Sequence, residues 1–410
     1  MAAAVAAAGL ASSVILVDEN CYPGGQIWRG GTKRWHDERL HALWKRLSAC
    51  KNVRIIQSAR VIAAPDKQTL LLETSAGAQL VHWEKLILCS GARELLLPFP
   101  GWTLPGVTGA GGLQAMIKGG MDVRGKRVVV AGTGPLLLAV AESVLNAGGN
   151  VIGILEHRGT RQLAGFSWQL LNKFKAKWRQ SLQLLWALKS VRYRHNATVL
   201  AADGEDRLRS VSIRHAGHQL NLKCDLLACA YGLIPNLELA SLLGCKTSDG
   251  RVIVDARQAT SRPKVWAAGE ATGIGGVDKA LAEGRIAGLA AVGAAPSHSE
   301  FAARSEALQF ADLLARYFAP ASALRAVCTP DTLVCRCEDV YARQLSEFKD
   351  WRTAKLMTRA GMGACQGRIC GAACQFLYDW QAPELRQPVF PATTSTLAAL
   401  SAACKKDEKE

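Results

Sequence analysis

The sequence lacks the features that would place the chain in a membrane or direct it out of the cell. No apolar run is long enough to span a bilayer. The first 17 residues contain no charged residue and therefore lack the basic segment that begins a secretory signal. Residues 14–17, near the end of this stretch, have the composition of a buried parallel strand, and Asp18 follows directly. We therefore predict a cytoplasmic protein without a transmembrane segment.

The sequence also lacks the pattern of a nucleic-acid-binding protein, although it is basic. It contains 50 Lys and Arg against 34 Asp and Glu, a formal net charge of +16. The basic residues are spread over 33–54, 158–189 and 349–368 without repeated alternation with aromatic residues. This distribution predicts a solvated basic surface that suits an acidic protein partner, and no nucleic acid.

Four cysteines near the C-terminus form the most informative pattern that is present. Cys335 and Cys337 are one residue apart, and Cys365 and Cys370 follow after 27 intervening residues, 338–364. Each pair can bind one iron of a [2Fe-2S] cluster, and glycine N–H groups beside them can donate to its sulfides. Zinc is the competing metal, but its structural sites usually space paired cysteines by about two to four residues. Four unrelated thiols are the third interpretation.

The chain has 13 cysteines, and most of those outside this pattern lie scattered in apolar or loop segments. Their spacing does not suggest a disulfide framework, so we interpret them as reduced residues of a protein in a reducing compartment. The cysteines in question are Cys21, Cys50, Cys89, Cys224, Cys229 and Cys245.

The N-terminus predicts the second half of a Rossmann unit. Residues 3–9 are alanine-rich and helical in character, residues 14–17 predict a strand, and Asp18 stands where an acid commonly binds a ribose diol. A first strand with a G-x-G-x-x-G turn should precede them, and both are absent. We expect that the sequence starts late relative to a complete unit. The alternative is an N-terminal helix of another fold.

Other short segments predict contacts to a flavin nucleotide in the same domain. Each taken alone is equally consistent with an ordinary α/β loop, but their order along the chain is more specific. A carboxylate at the end of the last segment can accept a hydrogen bond from a ribityl hydroxyl, and the helix predicted over 276–289 can direct its N-terminal dipole at the flavin. The candidate residues are Gly24, Gly25, Gln26, Ser90, Gly91, Gly269 and Glu270.

A second Rossmann unit is predicted from residue 127. Residues 128–131 form a strand, Gly132 and Gly134 a G-x-G turn, 135–145 a helix, and 151–156 a strand that ends in Glu156. The position of the third glycine is Leu137. The unit is therefore predicted to bind NAD(P), another adenine nucleotide, or no nicotinamide nucleotide.

With these segments and the cysteine-rich C-terminal part, the sequence resembles the flavoproteins with two dinucleotide-binding domains. Within them it is most similar to one branch, whose members are components of opine oxidases, of hydrogen cyanide synthase, and of proline and hydroxyproline dehydrogenases. The resemblance covers residues 1–375. It rests also on the Gly-Gly-Gln-Ile-Trp-Arg, Pro-Phe-Pro-Gly-Trp and Pro-Gly-Val segments at 24–29, 98–102 and 105–107.

This resemblance implies an α/β fold with two Rossmann-like domains of the glutathione-reductase kind, the first without its first strand, and a small helical domain like bacterioferritin-associated ferredoxin. The implied boundaries are 1–118 and 236–325 for the FAD-binding domain, 119–235 for the second Rossmann domain, 326–385 for the [2Fe-2S] domain and 386–410 for a polar tail.

The resemblance also implies FAD, a [2Fe-2S] cluster bound by the four cysteines, and a partner. The partner is a flavin-containing beta subunit that oxidises the amine or imino acid, and a small ferredoxin-like subunit is a further candidate. The chain would relay electrons and contain no substrate pocket or catalytic residue. Two alternatives stay open: an NAD(P)H-dependent reductase of a ferredoxin-like partner, and a non-catalytic scaffold with a disabled flavin site. No C-x-x-C pair lies near the flavin segments, so dithiol chemistry is not predicted.

Overall fold

The computed structural model describes residues 1–29, 37–381 and 385–407. The chain forms two units. Unit 1 contains Met1–Arg93, Ile234–Ala311 and Glu384–Glu410, and unit 2 contains Glu94–Leu233 and Asp312–Pro383. Each unit is therefore built from segments that are separated in the sequence.

The first segment of unit 1 consists of two helices and several short strands. In chain order these are α1 (Ala2–Ala8), β1 (Val14–Val17), α2 (Glu38–Ala49), β2 (Val53–Ile56), β3 (Arg60–Ala63), β4 (Thr69–Thr74), β5 (Gly77–His82), β6 (Leu86–Leu88) and β7 (Ala92–Glu94).

The first segment of unit 2 alternates strands and helices and then forms a strand meander. Its elements are β8 (Val107–Gly109), α3 (Ala110–Gly119), β9 (Arg127–Gly132), α4 (Leu136–Asn146), β10 (Asn150–Glu156), α5 (Thr160–Lys173), α6 (Lys175–Ala187), β11 (Tyr193–Arg194), β12 (Ala197–Asp203), β13 (Ser210–His215), β14 (His218–Lys223), β15 (Leu226–Ala230) and β16 (Leu233–Pro235).

The remaining segments are mostly helical. They contain α7 (Glu238–Leu242), β17 (Thr247–Ser248), β18 (Arg251–Val252), β19 (Val265–Ala267), α8 (Gly276–Ala291), α9 (His298–Phe318), β20 (Leu333–Cys335), β21 (Val340–Tyr341), α10 (Ala342–Leu345), α11 (Trp351–Thr358), α12 (Cys370–Tyr378) and α13 (Thr394–Asp407).

A five-stranded parallel sheet in the order β11-β10-β9-β15-β8 forms the centre of unit 2. Alternate residues of β9 point to opposite faces of the sheet. Val128 and Val130 pack with α3 and α4, whereas Val129 and Ala131 pack against the antiparallel sheet β12-β13-β14. All four are at most 1% exposed. A strand buried on both faces reads as a continuous apolar run, which is why residues 128–131 predict it so clearly.

Unit 1 packs its N-terminal helix tightly on α8. An added Cβ at Gly288 would lie 2.4 Å from the Ala3 carbonyl oxygen, and one at Gly284 would lie 3.2 Å from the Ala2 side chain. The alanines of α1 and these glycines therefore allow the two helix backbones to approach closely. The helix that the sequence predicts over 276–289 thus packs on α1 through Gly284 and Gly288.

Strand β1 pairs in parallel with β2, and β6 pairs in parallel with β19. Within residues 1–29, 37–381 and 385–407, no strand pairs with the second edge of β1. Ile15 is 42% exposed, and the other three residues of β1 are half-buried.

Residues 326–381 of unit 2 contain three short helices and the two-stranded sheet β20-β21. Val334, Leu345, Trp351 and other buried side chains of this module make its own hydrophobic cluster. The Trp102 indole N–H donates to the Leu333 carbonyl at 2.6 Å, and Ile369 packs on the cluster that contains Val129. The Pro-Phe-Pro-Gly-Trp segment thus supports this module from the rest of unit 2.

The segment 386–410, predicted as a polar tail, makes specific contacts in unit 1 over the part that the structure describes. The Val389 N–H donates to the Ile62 carbonyl at 2.8 Å, and Thr393 donates to the Glu73 carboxylate at 2.9 Å. Thr396 is fully buried and also donates to Glu73. The structure therefore differs from a solvated tail, because the acceptors that order this segment lie more than 300 residues away in the sequence.

None of the helices in the described ranges combines the length and the apolar character that a bilayer crossing requires.

A buried ion pair joins α8 to the turn after β19. Lys279 and Glu283 are each 1% exposed, and the Lys279 ammonium donates to the Glu283 carboxylate at 2.8 Å. The ammonium also donates to the Gly269 carbonyl at 2.8 Å and to Thr272 at 2.7 Å. The pair therefore holds a turn that begins with a predicted flavin contact.

We expect the substitution Lys279→Met to lower the free energy of unfolding by up to about 3–5 kcal/mol, because the buried Glu283 carboxylate loses its 2.8 Å partner and keeps only the Arg304 guanidinium, at 3.5 Å. Urea denaturation followed by circular dichroism measures the change. The matched control is Arg209→Met, which breaks an exposed pair with Glu205 and should cost less than about 1 kcal/mol. Equal midpoints for the two variants would show that the buried pair contributes no more than a surface pair.

Candidate functional site

The predicted flavin contacts of unit 1 lie at the carboxyl ends of its parallel strands. Asp18 follows β1, Ser90 and Gly91 follow β6, and Gly269 and Glu270 follow β19. Because Leu88 and Ala267 are register partners in a parallel pair, the last two turns leave the same edge of one sheet. The carboxyl edge of a parallel sheet is the usual location of a nucleotide site.

Asp18 keeps half of its carboxylate available. Oδ1 accepts from the Asn20 N–H at 2.8 Å and from the Asn20 side-chain amide at 2.9 Å. Within residues 1–29, 37–381 and 385–407, Oδ2 makes no such bond. Burial lowers the pKa of the Met1 amino group, and the nearby Cys89 and Asp18 partly oppose this lowering. The ends of β1 and β6 therefore act on the same N-terminus of α1.

Gly24 and Gly25 differ in their surroundings, and Gln26 is exposed. An added Cβ at Gly24 would lie 3.0 Å from the Trp28 Cβ, so this glycine permits packing within the segment. Gly25 has a φ of +66° and, among the described residues, no protein atom within 4 Å of such a Cβ. A backbone that is bare on its open side can approach a ligand closely.

Ser90 and Gly91 are tied to the chain segment that re-enters unit 1. The Ser90 hydroxyl donates to the Asn236 carbonyl at 2.6 Å, and the Asn236 N–H donates to the Gly91 carbonyl at 2.9 Å. The Asn236 side chain donates back to the Ser90 carbonyl at 2.9 Å. These bonds fix the turn, a role for Asn236 that is not apparent from the sequence.

The Glu270 carboxylate binds the N-terminus of α8. Its two oxygens accept from the Gly275 and Gly276 N–H groups, each at 2.8 Å. Each oxygen retains one lone pair, and Glu270 is half-buried. A ribityl hydroxyl could therefore add to this arrangement, but Glu270 is first of all a helix cap.

In unit 2 the four C-terminal cysteines lie together. The Cys370 thiol forms hydrogen bonds with Cys335 and Cys365, and Cys337 forms one with Cys365. Cys335 and Cys370 are each 1% exposed, whereas Cys337 is exposed and Cys365 is half-buried. We call this group the thiol quartet. It has a buried side and a side that faces solvent.

The surroundings of the thiol quartet lower the pKa of Cys335 and Cys365 and raise that of Cys337 and Cys370. The hydrogen bond from Cys370, together with the Ile369 and Gly367 N–H groups, lowers the pKa of Cys365 to about 4 against the effect of burial. The same kind of bond lowers the pKa of Cys335 to about 6, with help from the Gly361 N–H, which lies 3.4 Å from its sulfur. The glycines beside the predicted ligands thus supply N–H donors to sulfur.

Two glycines also make room for the thiol quartet. A Cβ at Gly363 would lie 2.3 Å from the Cys337 Cβ, and one at Gly361 would lie 2.6 Å from the Trp351 ring. In the described ranges, no three His, Cys, Asp or Glu side chains are arranged to hold a metal ion.

The predicted residues of the second Rossmann unit also lie in unit 2, at the end of β9. Gly132 and Gly134 have φ values of +143° and +92°. The Glu156 carboxylate accepts from the Gly134 and Arg158 N–H groups, each at 2.8 Å, and Glu156 is 1% exposed. Burial raises the pKa of Glu156. Both of its oxygens therefore accept hydrogen bonds from backbone N–H groups of this chain.

A similar carboxylate at the start of unit 2 escaped prediction from the sequence. The Glu94 oxygens accept from the Gly111 and Gly112 N–H groups at 2.6 Å and 2.8 Å, and burial raises the pKa of this carboxyl group. Glu94 therefore caps α3. This capping role is hard to predict from the sequence, because the two glycines whose N–H groups Glu94 binds follow it by 17 and 18 residues.

The profile of the pyridine nucleotide-disulphide oxidoreductase family matches residues 1–284. The chain belongs to this family and is an FAD-dependent oxidoreductase. The predicted α/β fold with Rossmann-like domains is thereby confirmed.

Individual relatives agree with the branch that the sequence resembles. Hydrogen cyanide synthase subunit HcnB of Pseudomonas aeruginosa is 32% identical over 91% of this chain and 89% of its own length. An opine oxidase subunit of Rhizobium meliloti strain 1021 is 31% identical over 90% of this chain and 88% of its own length. The crystal structure of L-proline dehydrogenase from P. horikoshii has 18% identity and a TM-score of 0.66 over 97% of this chain and 77% of that one, which supports the fold alone.

We expect Asp18→Ala to weaken FAD binding by about tenfold to hundredfold, because a ribose diol would lose charge-assisted hydrogen bonds worth about 1.5–3 kcal/mol. Titration of the flavin-free chain with FAD, followed by quenching of flavin fluorescence, gives the dissociation constants. The neighbouring Glu19→Ala is the control, since Glu19 is half-exposed and pairs with Arg60 at the surface. Equal constants for the two variants would remove Asp18 from the flavin site.

Proposed function

We propose that the chain is the FAD- and [2Fe-2S]-carrying electron-transfer subunit of a multisubunit amine or imino-acid dehydrogenase of the opine, proline or hydroxyproline type. It relays electrons from a partner flavin subunit to an acceptor. The observation that carries the proposal is the thiol quartet, in which two closely spaced cysteine pairs meet beside glycine N–H groups. The names of the relatives, which are subunits of oxidases or synthases, support the multisubunit context.

The residues of the thiol quartet fit a [2Fe-2S] cluster. The lowered pKa values of Cys335 and Cys365 favour thiolates at these two positions, and Gly361 and Gly367 supply N–H groups that stabilise negative sulfur. Cys335 and Cys370 would bind on the buried side, and Cys337 and Cys365 on the side that faces solvent. When bound, FAD exchanges electrons in pairs and a [2Fe-2S] cluster exchanges them singly, which is the chemistry that a relay needs.

Unit 1 fits FAD through a different set of groups. Asp18 Oδ2 is available for a ribose hydroxyl, and the bare backbone of Gly25 lies open beside the same segment. Glu270 holds the N-terminus of α8 in place, and the Lys279–Glu283 pair fixes the turn before it. These residues orient and bind the cofactor, and none is proposed to transfer a proton.

The surface of the module that holds the thiol quartet supports a protein partner. Leu356 and Met357 on α11 are 64% and 72% exposed, and Met362 is 39% exposed. Residues 349–370 contain five basic residues and one acidic residue. An exposed apolar patch with a basic surround suits an acidic partner surface. The flavin-containing beta subunit is the partner we propose, and a small ferredoxin-like subunit is the second candidate.

The free cysteines among the described residues are consistent with our proposal that the protein works in the cytoplasm.

The direct test is an anaerobic absorption spectrum of the purified chain, with flavin, iron and acid-labile sulfide assayed on the same sample. Flavin together with equal amounts of iron and sulfide supports the relay. Iron and sulfide without flavin would favour the scaffold alternative. Absence of iron and sulfide after anaerobic reconstitution would refute the proposal.

We expect Cys365→Ser to lose most of the bound iron and sulfide, because serine lacks the soft thiolate that iron–sulfur clusters use. The matched control is Cys374→Ala. Cys374 is fully buried one turn beyond Cys370 and forms none of the hydrogen bonds that join the thiol quartet. Iron and sulfide assays after identical reconstitution measure the difference. A Cys365→Ser protein that retains its full iron content would remove Cys365 from the ligand set.

We also expect Gly363→Ala to reduce cluster incorporation, because the added methyl group would lie 2.3 Å from the Cys337 Cβ and displace this ligand. Gly119→Ala is the control, since in the described part of the chain no atom lies within 4 Å of an added Cβ there. The measurement is the rate and extent of reconstitution at equal protein concentration. Indistinguishable reconstitution would show that the position of Cys337 in the structure does not matter for assembly.

A further inference from the structure

The second dinucleotide-binding turn, at the end of β9, is covered by the chain's own aromatic residue. The second glycine of a G-x-G turn is bare so that the pyrophosphate of a dinucleotide can contact the backbone. In this chain an added Cβ at Gly134 would lie 3.3 Å from the Phe318 Cγ and 3.4 Å from its Cβ. Phe318 therefore occupies the side of Gly134 that a pyrophosphate would need.

The Phe318 ring is held by other aromatic side chains. Phe166 on α5 is 8% exposed and packs edge-on against Phe318 with 4.7 Å between ring centroids. Phe166 also contacts Tyr317, with centroids 5.9 Å apart. The end of α9 is thus anchored on α5, with the Phe318 ring above the turn.

The residues after Phe318 continue across the ends of the sheet. The Arg158 guanidinium donates to the Ala319 carbonyl, and Pro320 lies 3.8 Å from the position of an added Cβ at Gly232. Gly232 follows β15, which neighbours β9 in the sheet. The order β11-β10-β9-β15-β8 changes direction between β9 and β15, and ligands of α/β sheets bind at such switch points. We call residues 317–320 the covering segment.

The polar groups that would bind a dinucleotide here are used within the protein. Glu156, which stands at the ribose-binding position, is 1% exposed and bonded through both oxygens to backbone N–H groups. The Arg158 guanidinium donates to the covering segment through one of its terminal nitrogens. The residues present therefore do not fit a bound nicotinamide dinucleotide in this arrangement.

We infer that Phe318 and the covering segment close the second dinucleotide site, so that the site excludes NAD(P)H although the turn that would bind it is intact. Phe318 is the determinant of this exclusion, because the three nearest atoms to the bare side of Gly134 all belong to its side chain. The inference concerns a different site from the thiol quartet and stands independently of the proposed function.

The test is isothermal titration of the whole 410-residue chain with NADH, with ADP as a second probe that carries only the adenosine and pyrophosphate groups. We expect weak or no saturable binding to the wild type, and a gain in affinity of about tenfold or more in Phe318→Ala. Phe318→Leu retains an apolar side chain and guards against a folding defect in the alanine variant. The control is Trp168→Ala, since Trp168 is 66% exposed on the same helix as Phe166.

Two results would overturn the inference. One is tight NADH binding to the wild type that Phe318→Ala leaves unchanged. The other is a folded Phe318→Ala or Phe318→Leu protein whose affinity for NADH and ADP equals that of Trp168→Ala. A gain for both probes in either Phe318 variant would support it.

Discussion

Carboxylates that accept hydrogen bonds from backbone N–H groups shape the turns on which the rest of this structure depends. The parallel strands end in turns that lead into helices, and the first N–H groups of a helix have no partner within it. In this chain a carboxylate from elsewhere in the sequence satisfies them, as Glu270 does at Gly275 and Gly276 and Glu94 does at Gly111 and Gly112. The negative charge also suits the positive end of the helix dipole. The hydrogen bonds and burial of each carboxylate determine whether its oxygens are accessible to a ligand.

The acids at the two predicted nucleotide sites differ in this respect. Asp18 uses one oxygen for Asn20 and has the other available. Glu156 accepts one backbone N–H on each oxygen and is 1% exposed, so its burial keeps a ribose away from the lone pairs that remain. The same sequence pattern, an acid at the tip of a strand, therefore corresponds to an accessible carboxylate in unit 1 and an inaccessible one in unit 2. This contrast agrees with FAD as the cofactor and with closure of the second site.

Local periodicity and turn chemistry were sufficient to predict much of the fold. The second Rossmann unit was predicted as a strand over 128–131, a helix over 135–145 and a strand over 151–156, and the structure has Arg127–Gly132, Leu136–Asn146 and Asn150–Glu156. Buried parallel strands read as apolar runs, and the glycines mark the turn between them. The spacing of the four cysteines predicts a shared site, because each pair is close in sequence and only one long-range contact has to form, and iron and sulfide assays test this prediction.

Features that depend on distant pairs of residues could not be predicted in this way. Nothing around Phe318 in the sequence indicates that its ring packs on Gly134, since an aromatic residue at the end of a helix is ordinary. The burial of Lys279 was likewise hidden, because a Lys and a Glu four residues apart usually form a solvated pair on a helix surface. The contacts of the C-terminal segment with Glu73 depend on a register that only the folded β3-β4-β5 sheet defines.

The central claim is that the four cysteines of unit 2 hold a two-iron cluster in an FAD-dependent electron carrier. Electron paramagnetic resonance of the anaerobically reduced chain tests it most directly, because a reduced [2Fe-2S] cluster carries one unpaired electron and a zinc site or free thiols carry none. We predict a cluster signal that integrates to about one spin per chain and that the Cys365→Ser variant lacks. A reduced protein that binds flavin and shows no such signal would contradict the claim.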